Sequence, residues 1–400
     1  MLSLKKVTEY TLLICFAVLP FSNALINIAF AILSLLVITI FIKEKQSLKL
    51  NFVTISFTLL SIYLMINGLF QGSYEANKTL WKMLPLLFFG NLIFSNYRFS
   101  NLDLIKKVSI YSCALYIIFS LIRALLFYKS NGFLPFANGQ EIKEILTIHR
   151  PYLGIYIVLN LIFILEFLKS KISYIFIALF LLLSGYLIII SARLSILTLL
   201  IIGSIYLLFY TKLTLKKKLL YSSIFVLFTS LFTILNPNFR DRMKPESVEL
   251  FIDYEPRFVI WESVKTIYNN DDYNIVFGYG NYNLIEEYLV INYDNKIQKD
   301  SKREYYISER FNTHSQYLDY LLFGGIIGFV LFIIYSLLAI YSSIIEFKNI
   351  AIAITFILFF IVENVFHRQF GCYVFLLYMV LFVHQTKSHF YLQGTFLKLF

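Results

Sequence analysis

Long apolar runs alternate with short polar stretches over most of the chain. A helix of about 20 apolar residues is long enough to cross the ~30 Å hydrocarbon core of a bilayer. The pattern therefore predicts an all-α polytopic membrane protein with about twelve transmembrane helices. These helices are expected near residues 8–22, 25–42, 52–70, 80–95, 106–128, 151–168, 172–190, 194–211, 217–236, 317–343, 349–366 and 370–386.

One long polar segment, residues 237–316, interrupts this pattern. It is too long for an ordinary connection between helices, and long loops of this kind are usually functional. The sequence thus predicts three parts. Residues 1–236 form an N-terminal transmembrane bundle of about nine spans, 237–316 form a large loop, and 317–400 hold about three further spans.

Basic residues are concentrated in alternate connections, as in "KSK" at 169–171 and "KLTLKKK" at 212–218. Loops rich in Lys and Arg stay in the cytoplasm, so we expect both termini inside and the large loop outside, in the periplasm of a Gram-negative cell. The residues from Ser22 to Ala24 could pass for a signal-peptide cleavage site. A second apolar run follows at once, which favours a retained anchor.

Composition supports the membrane interpretation, because 59% hydrophobic residues and a mean hydropathy of +0.72 do not fit one soluble core. The net charge of +11 comes from scattered lysine clusters, so it indicates topology and not a nucleic-acid partner. The three cysteines are isolated in apolar runs and are expected to be small core residues. No metal or nucleotide motif occurs in a suitable context, so we predict no metal and no cofactor.

His314 stands at the mouth of an apolar stretch, "HSQYLDYLLFGGIIG". On one continuous helix, Gly325 would return to within about 20° of His314, and Gly328 would fall about 40° to the other side. That face would let a helix or ligand approach the backbone just below the imidazole. An equally supported alternative is a glycine packing face with an interfacial histidine. Asp319 would project about 140° away and is expected to make an interfacial or inter-helix polar contact.

Three arginines are predicted to lie on the outer side of the membrane. Arg193 follows an outer turn between two spans, Arg150 opens another span, and Arg257 lies in the large loop. A guanidinium binds phosphate as a bidentate fork, so several arginines at one outer cavity would suit an anionic, lipid-linked substrate. Each arginine alone is better explained as a snorkelling or salt-bridged interface residue, and it is their shared side of the membrane that favours a substrate site.

The large loop contains two further marked stretches. In "EPRFVIWESV", Phe258, Trp261 and Val264 have the spacing of an amphipathic helix that buries one side against the membrane surface. In "NIVFGYGNYN", Gly278 and Gly280 predict a tight, aromatic-rich turn that either lines a sugar site or folds the loop back.

The order of these motifs resembles the O-antigen ligase and polymerase superfamily of membrane glycosyltransferases. The motifs are S-x-R ending at Arg193, R-x-x-x-W from Arg257 to Trp261, the G-x-G turn, and His-Ser followed by nine residues and G-x-x-G. His314, Ser315, Gly325 and Gly328 fit that superfamily's ligase motif without a departure. The resemblance is strongest over residues 150–330.

The resemblance implies a GT-C-like fold and a metal-independent, inverting transfer of a glycan from undecaprenyl diphosphate to an acceptor hydroxyl. By this analogy His314 is the general base, and Arg193 and Arg257 hold the diphosphate. Arg150 is a weaker candidate for the same role and could be only an anchor. Trp261 would pack against a lipid or sugar, or serve the structure alone.

Ligase and polymerase differ in the acceptor, which is lipid A core oligosaccharide for a ligase and a second carrier-linked glycan for a polymerase. The unbroken ligase motif favours a ligase of the bacterial inner membrane that works at the periplasmic face among membrane lipids. Related enzymes glycosylate proteins. A polysaccharide flippase or other transporter is a fourth class, but it would show internal repeats and charges near the bilayer midplane.

Overall fold

The computed structural model describes residues 3–48, 50–136, 142, 145–170, 172–211, 213–220, 222–223, 227 and 256–385. Within these residues the chain is helical and has no β-strand. The first helices are α1 (Leu4–Val18), α2 (Asn23–Glu44), α3 (Phe52–Gln71), α4 (Lys78–Asn96), α5 (Leu102–Asn131), α6 (Arg150–Ser170), α7 (Tyr174–Ile189) and α8 (Arg193–Phe209). They are followed by α9 (Pro256–Tyr268), α10 (Tyr282–Lys296), α11 (Asp300–Glu309), α12 (Gln316–Ser343), α13 (Phe347–Val362), a 3₁₀ turn (Val365–His367) and α14 (Gln369–Val374), which continues as a π-helix (Phe375–His384).

Five of the described helices are long and apolar enough to cross a membrane, namely α2, α3, α5, α6 and α12. The helices α7, α8, α13 and the segment Gln369–His384 are apolar but shorter. Helices α1 and α4 coincide with two more predicted spans, and most of the predicted span at 217–236 lies outside the described residues. The all-helical class is thus confirmed, while the count of twelve spans stays a prediction.

The surface of these helices is that of a protein in lipid. In α2, Ile28, Leu35 and Ile42 are 58%, 65% and 73% exposed although they carry no polar atom in their side chains. Such a face would be unfavourable in water but is matched to hydrocarbon. Together with the five long helices, this makes the chain a multi-pass membrane protein.

Polar side chains set several helix starts. Asn51, Asn101 and Asn281 lie just before α3, α5 and α10, and the side-chain oxygen of each accepts a backbone N–H of the first turn. These caps satisfy backbone donors that the helix itself leaves unpaired. The short polar stretches therefore fix where each apolar helix begins.

The chain forms two compact units, each assembled from separate stretches. The first comprises Met1–Ser47, Tyr97–Ser247 and Ile344–Phe356. Its centre is α6, in which every residue from 152 to 164 is buried, and α6 packs on α5, α7 and α8. Buried polar contacts tie these helices together: Ser109 Oγ donates to Asn160 Oδ1 at 2.7 Å, and the Lys106 ammonium lies 3.0 Å from the Glu166 carboxylate.

The second unit comprises Leu48–Asn96, Val248–Ser343 and Ile357–Phe400. Its core is formed by α3 against α12 and α4, with the π-helix packed on α4. The described part of the predicted large loop folds here as α9, α10 and α11. The three cysteines, one of them in this unit, are buried and unpaired, as the sequence predicts.

Candidate functional site

His314 lies in a short turn that connects α11 to α12. Its backbone has φ of +44°, a left-handed conformation that few residues adopt without support. Asn312 provides that support, since its Oδ1 accepts the His314 N–H at 3.1 Å. The Phe311 ring packs beside the imidazole at a centroid distance of 5.7 Å. The turn therefore presents the imidazole in one orientation, with 23% of the side chain exposed.

The partner of His314 is a buried carboxylate. Glu363 follows the last residue of α13, and its side chain is only 7% exposed. Its Oε2 lies 3.6 Å from His314 Nδ1, too long for a hydrogen bond, so the attraction is electrostatic. Arg257 donates to the other oxygen, Oε1, at 2.8 Å. One carboxylate thus holds an imidazole and a guanidinium on neighbouring sides.

Helix α9 places Arg257 at this carboxylate. Its second residue is Arg257, whose Nε also donates to the carbonyl of Val362 at 3.2 Å. A cation at the carbonyl end of a helix is favourable, so Arg257 both neutralises Glu363 and caps α13. The family resemblance implied that His314 and Arg257 act in one reaction. In the structure both side chains lie next to the carboxylate of Glu363.

The prediction that Phe258, Trp261 and Val264 form one face of α9 buried against the membrane is wrong in part. Val264 is buried as expected, but it packs inside the unit together with Ile260 and Ile267, and Phe258 is 45% exposed. The Trp261 indole donates to the carbonyl of Thr313 at 3.1 Å. Trp261 therefore holds the turn that carries His314, and its packing against a lipid or sugar stays a prediction.

Ser315 forms the start of α12. Its Oγ accepts the N–H of Leu318 at 3.4 Å, and the side chain is buried. An N-cap of this kind fixes where the helix begins. His314 consequently precedes the helix instead of belonging to it.

His314, Gly325 and Gly328 do not share one helical face, contrary to the prediction, because α12 is broken at Gly325, where φ is +61° and ψ is −161°. The chain from Asn274 to Gly280 docks into the break. Tyr279 and Gly280 donate backbone N–H groups to Leu322 and Phe323 at 2.8 and 2.9 Å. In return the N–H of Ile326 donates to Ile275 at 2.9 Å.

The glycine turn therefore folds the loop back onto α12. Gly278 and Gly280 have φ of +70° and +55°, and a Cβ on Gly278 would stand 2.5 Å from the nitrogen of Gly325. Asn77 stabilises the turn, since its Nδ2 donates to the carbonyl of Gly280 at 2.8 Å. A Cβ on Gly328 would lie 3.0 Å from the carbonyl of Tyr320, so that glycine permits close packing within the bent helix.

A second polar cluster surrounds Asp319, one turn into α12. Its Oδ2 accepts from Tyr282 Oη at 2.7 Å and lies 2.9 Å from His367 Nε2, while Oδ1 accepts from Asn364 Nδ2 at 2.9 Å. Burial and the adjacent carboxylate raise the pKa of Tyr282 well above its usual value, so the phenol stays protonated and donates. The inter-helix contact predicted for Asp319 is confirmed.

Asn364 connects the two clusters. Its amide donates to Asp319 Oδ1 and to Thr313 Oγ1, and Thr313 is the residue before His314. Glu363, Asn364 and His367 belong to none of the motifs found in the sequence, and the first two were predicted to lie inside the span 349–366. The polar stretch "VENVFHRQ", between two apolar runs, could have indicated these residues. It marks the end of α13 at Val362.

The other two arginines belong to the first unit. Arg193 opens α8 directly after a two-residue turn, in which Ser191 has φ of +52° and accepts the Arg193 N–H at 2.9 Å. Arg150 is the first residue of α6. Each arginine thus opens a helix as predicted, while its place on the outer side of the membrane and its convergence with His314 stay predictions. Within the described residues, no group of three His, Cys, Asp or Glu side chains could hold a metal ion.

The fold and the site together define the class of protein. It is an all-helical, multi-pass membrane protein in which ion pairs and hydrogen bonds surround two histidines, His314 and His367. Residues 177–333 match the family model described as O-antigen ligase. This confirms the predicted resemblance to the O-antigen ligase superfamily, whose members are membrane glycosyltransferase-like enzymes of the ligase or polymerase type. The match includes His314, Arg257, Arg193 and the glycines of both motifs, and it excludes Arg150. No curated protein and no solved structure matches the chain.

Proposed function

We propose that this protein is an O-antigen ligase-type glycosyltransferase that moves a glycan from undecaprenyl diphosphate to a hydroxyl of the lipid A core oligosaccharide. The family match supports a ligase or polymerase, and the unbroken His-Ser-x9-G-x-x-G motif favours the ligase. The reaction takes place at the periplasmic face of the inner membrane, where the positive-inside rule puts the large loop.

The observation that carries this proposal is the arrangement of His314, Glu363 and Arg257. The Glu363 carboxylate lies 3.6 Å from Nδ1 of His314, and in the proposed reaction its negative charge favours the proton on Nδ1 and leaves Nε2 as the proton acceptor. Arg257, held at the same carboxylate, puts a permanent positive charge within the same small region. A base beside a fixed cation is what transfer from a diphosphate leaving group requires.

In the proposed step, Nε2 of His314 takes the proton of the acceptor hydroxyl. The hydroxyl oxygen forms the new bond to the anomeric carbon on the face opposite the diphosphate, which inverts the configuration. The bond between that carbon and the diphosphate oxygen breaks, and undecaprenyl diphosphate leaves with both electrons. Arg257 and Arg193 stabilise the departing charge, so the step uses no metal, and Arg150 is a further candidate for this contact.

The direct test is a transfer assay with purified protein, an undecaprenyl diphosphate-linked glycan and lipid A core oligosaccharide. We expect His314→Ala to lower the rate at least about 100-fold, the usual contribution of a general base. His149→Ala is the matched control, since this histidine is exposed and has no role in the proposed step. A His314→Ala variant that transfers glycan at the wild-type rate excludes the histidine as the base.

The acceptor is tested in cells by the lipopolysaccharide bands of a deletion strain complemented with each variant. Loss of every O-antigen-bearing band, with long carrier-linked chains accumulating, indicates a ligase. A single attached repeat indicates a polymerase. Accumulation of carrier-linked repeats on the cytoplasmic side indicates a transporter and overturns the proposed enzyme.

A further inference from the structure

His367 has a closer carboxylate partner than His314. Its Nε2 lies 2.9 Å from Asp319 Oδ2, a hydrogen-bond distance, whereas His314 and Glu363 are separated by 3.6 Å. The predicted base is therefore the less tightly oriented of the two imidazoles. A buried carboxylate in a membrane helix is costly, and such groups usually serve a function.

The contacts of Asp319 determine which nitrogen of His367 carries the proton. The Tyr282 phenol and the Asn364 amide both donate to this carboxylate, so it is an acceptor throughout. With Asp319 ionised, Nε2 of His367 donates to it as well. In the neutral ring, Nδ1 is left with its lone pair as a hydrogen-bond acceptor.

The ring is also fixed in space. It meets the Tyr282 ring edge to face at 5.0 Å, and Tyr282 is itself stacked on Phe323 at 4.4 Å. On the other side, the N–H of Phe366 donates to Gln316 Oε1 at 3.0 Å, which anchors the 3₁₀ turn that ends at His367. A ring held this firmly would lose little conformational entropy when it binds a ligand.

His367 forms part of the wall of a narrow cleft within the second unit. The cleft is lined by four residues with polar side chains, Thr79, Tyr282, Gln316 and His367, and by leucines of α4 with Met83, Tyr320 and Phe366. The His367 side chain is 16% exposed, so the ring is reachable there although Asp319 beneath it is buried. The apolar and aromatic wall suits the C–H face of a sugar, and the acceptor on His367 suits one of its hydroxyl groups.

We propose that His367, oriented by Asp319, is a hydroxyl-binding residue whose Nδ1 accepts a hydrogen bond from a sugar hydroxyl of one of the two glycan substrates. The proposal rests on the proposed glycosyl transfer and adds a contact to it. His367 is a binding residue here, and the proton transfer stays with His314.

The deciding variant is His367→Gln. The glutamine amide can replace Nε2 as the donor to Asp319, but it places no acceptor where Nδ1 was, so it separates the structural bond from the proposed contact. We expect KM to rise about tenfold, the size of one hydrogen bond, for either the carrier-linked glycan or lipid A core, with kcat within about threefold. His149→Gln should leave both KM values unchanged.

Unchanged KM values for both substrates in His367→Gln overturn the proposal and make the Asp319–His367 pair a structural tie. If the wild-type protein transfers no glycan in this assay, the proposed function itself is wrong. The failure of the His367 proposal and the failure of the proposed function are therefore distinguishable.

A second measurement uses the wild-type protein and needs no folded variant. Diethyl pyrocarbonate acylates accessible, unprotonated imidazole nitrogens, and mass spectrometry identifies the modified histidine. We expect His367 to be modified in the free protein and protected by carrier-linked glycan or by lipid A core, each added alone. Buried His384 is the internal reference that stays unmodified. Equal modification of His367 with and without both glycolipids counts against the hydroxyl contact.

Discussion

Gly278 and Gly325 lie backbone against backbone, although 46 residues separate them in the chain. A Cβ built on Gly325 would stand 2.3 Å from the carbonyl oxygen of Val276 and 2.6 Å from the nitrogen of Gly278. This contact joins the glycine turn of the polar segment to the break in α12. The first glycine of the G-x-x-G motif is therefore a docking point for the turn and not a helix-packing residue.

Gly325→Ala should destabilise the protein by about 2–5 kcal/mol. The φ/ψ pair of Gly325 is almost restricted to glycine, and the added methyl group meets backbone that cannot move away. Thermal unfolding in detergent measures the change as a lower melting temperature. Gly185→Ala is the matched control, because a Cβ there meets nothing within 4 Å and alanine favours the helix. Equal melting temperatures for wild type and Gly325→Ala would contradict the docked turn.

Removing Arg257 alone should destabilise the protein more than removing Arg257 and Glu363 together. Arg257→Ala leaves a buried carboxylate without its guanidinium, so we expect a loss of about 2–4 kcal/mol. Removing both groups in Arg257→Ala/Glu363→Ala takes away the unpaired charge and should restore part of that stability.

Glycan transfer separates the two roles of Arg257. If Arg257 holds the diphosphate, the double variant stays inactive although it is folded, and Arg257→Lys keeps part of the activity because a charge remains. Recovery of transfer in the double variant would show that Arg257 acts only as the counter-ion of Glu363.

Lys106 should contribute far more to stability than its neighbour Lys107. The Lys106 side chain is 5% exposed and lies 2.9 Å from Asp103 and 3.0 Å from Glu166. Lys106→Met leaves Glu166 with only the more distant Lys348, at 3.8 Å, and should cost about 1–2 kcal/mol. Lys107→Met is the control, since Lys107 is exposed and loses only a cation–π contact with Phe167. Similar melting temperatures for the two variants would show that the buried ion pair adds no net stability.

The proposed topology can be tested by cysteine labelling, because all three natural cysteines are buried. We expect a membrane-impermeant maleimide to label Ser301→Cys, on exposed α11, in intact spheroplasts. It should label Lys217→Cys, in the predicted cytoplasmic segment, only after lysis. The reverse pattern would show that the large loop faces the cytoplasm.

The helices of this protein were predictable to within a few residues where apolar runs are long. The expected spans 52–70 and 317–343 correspond to Phe52–Gln71 and Gln316–Ser343. Apolar periodicity depends only on neighbouring residues, so a single sequence contains it. The break at Gly325 was not predictable in the same way, because its cause is a turn of the chain that precedes it by about 46 residues.

The sequence by itself determined the all-helical class, the approximate positions of the longest helices, and the motif residues His314, Arg257 and Gly278. These depend on hydropathy, charge and local spacing, which can be taken from the order of residues. The tertiary structure decided their partners. Glu363 joins His314 to Arg257, and Asp319 orients His367, because the end of α13 folds back beside the start of α12. Contacts between residues so far apart in sequence arise from packing, which no local pattern encodes.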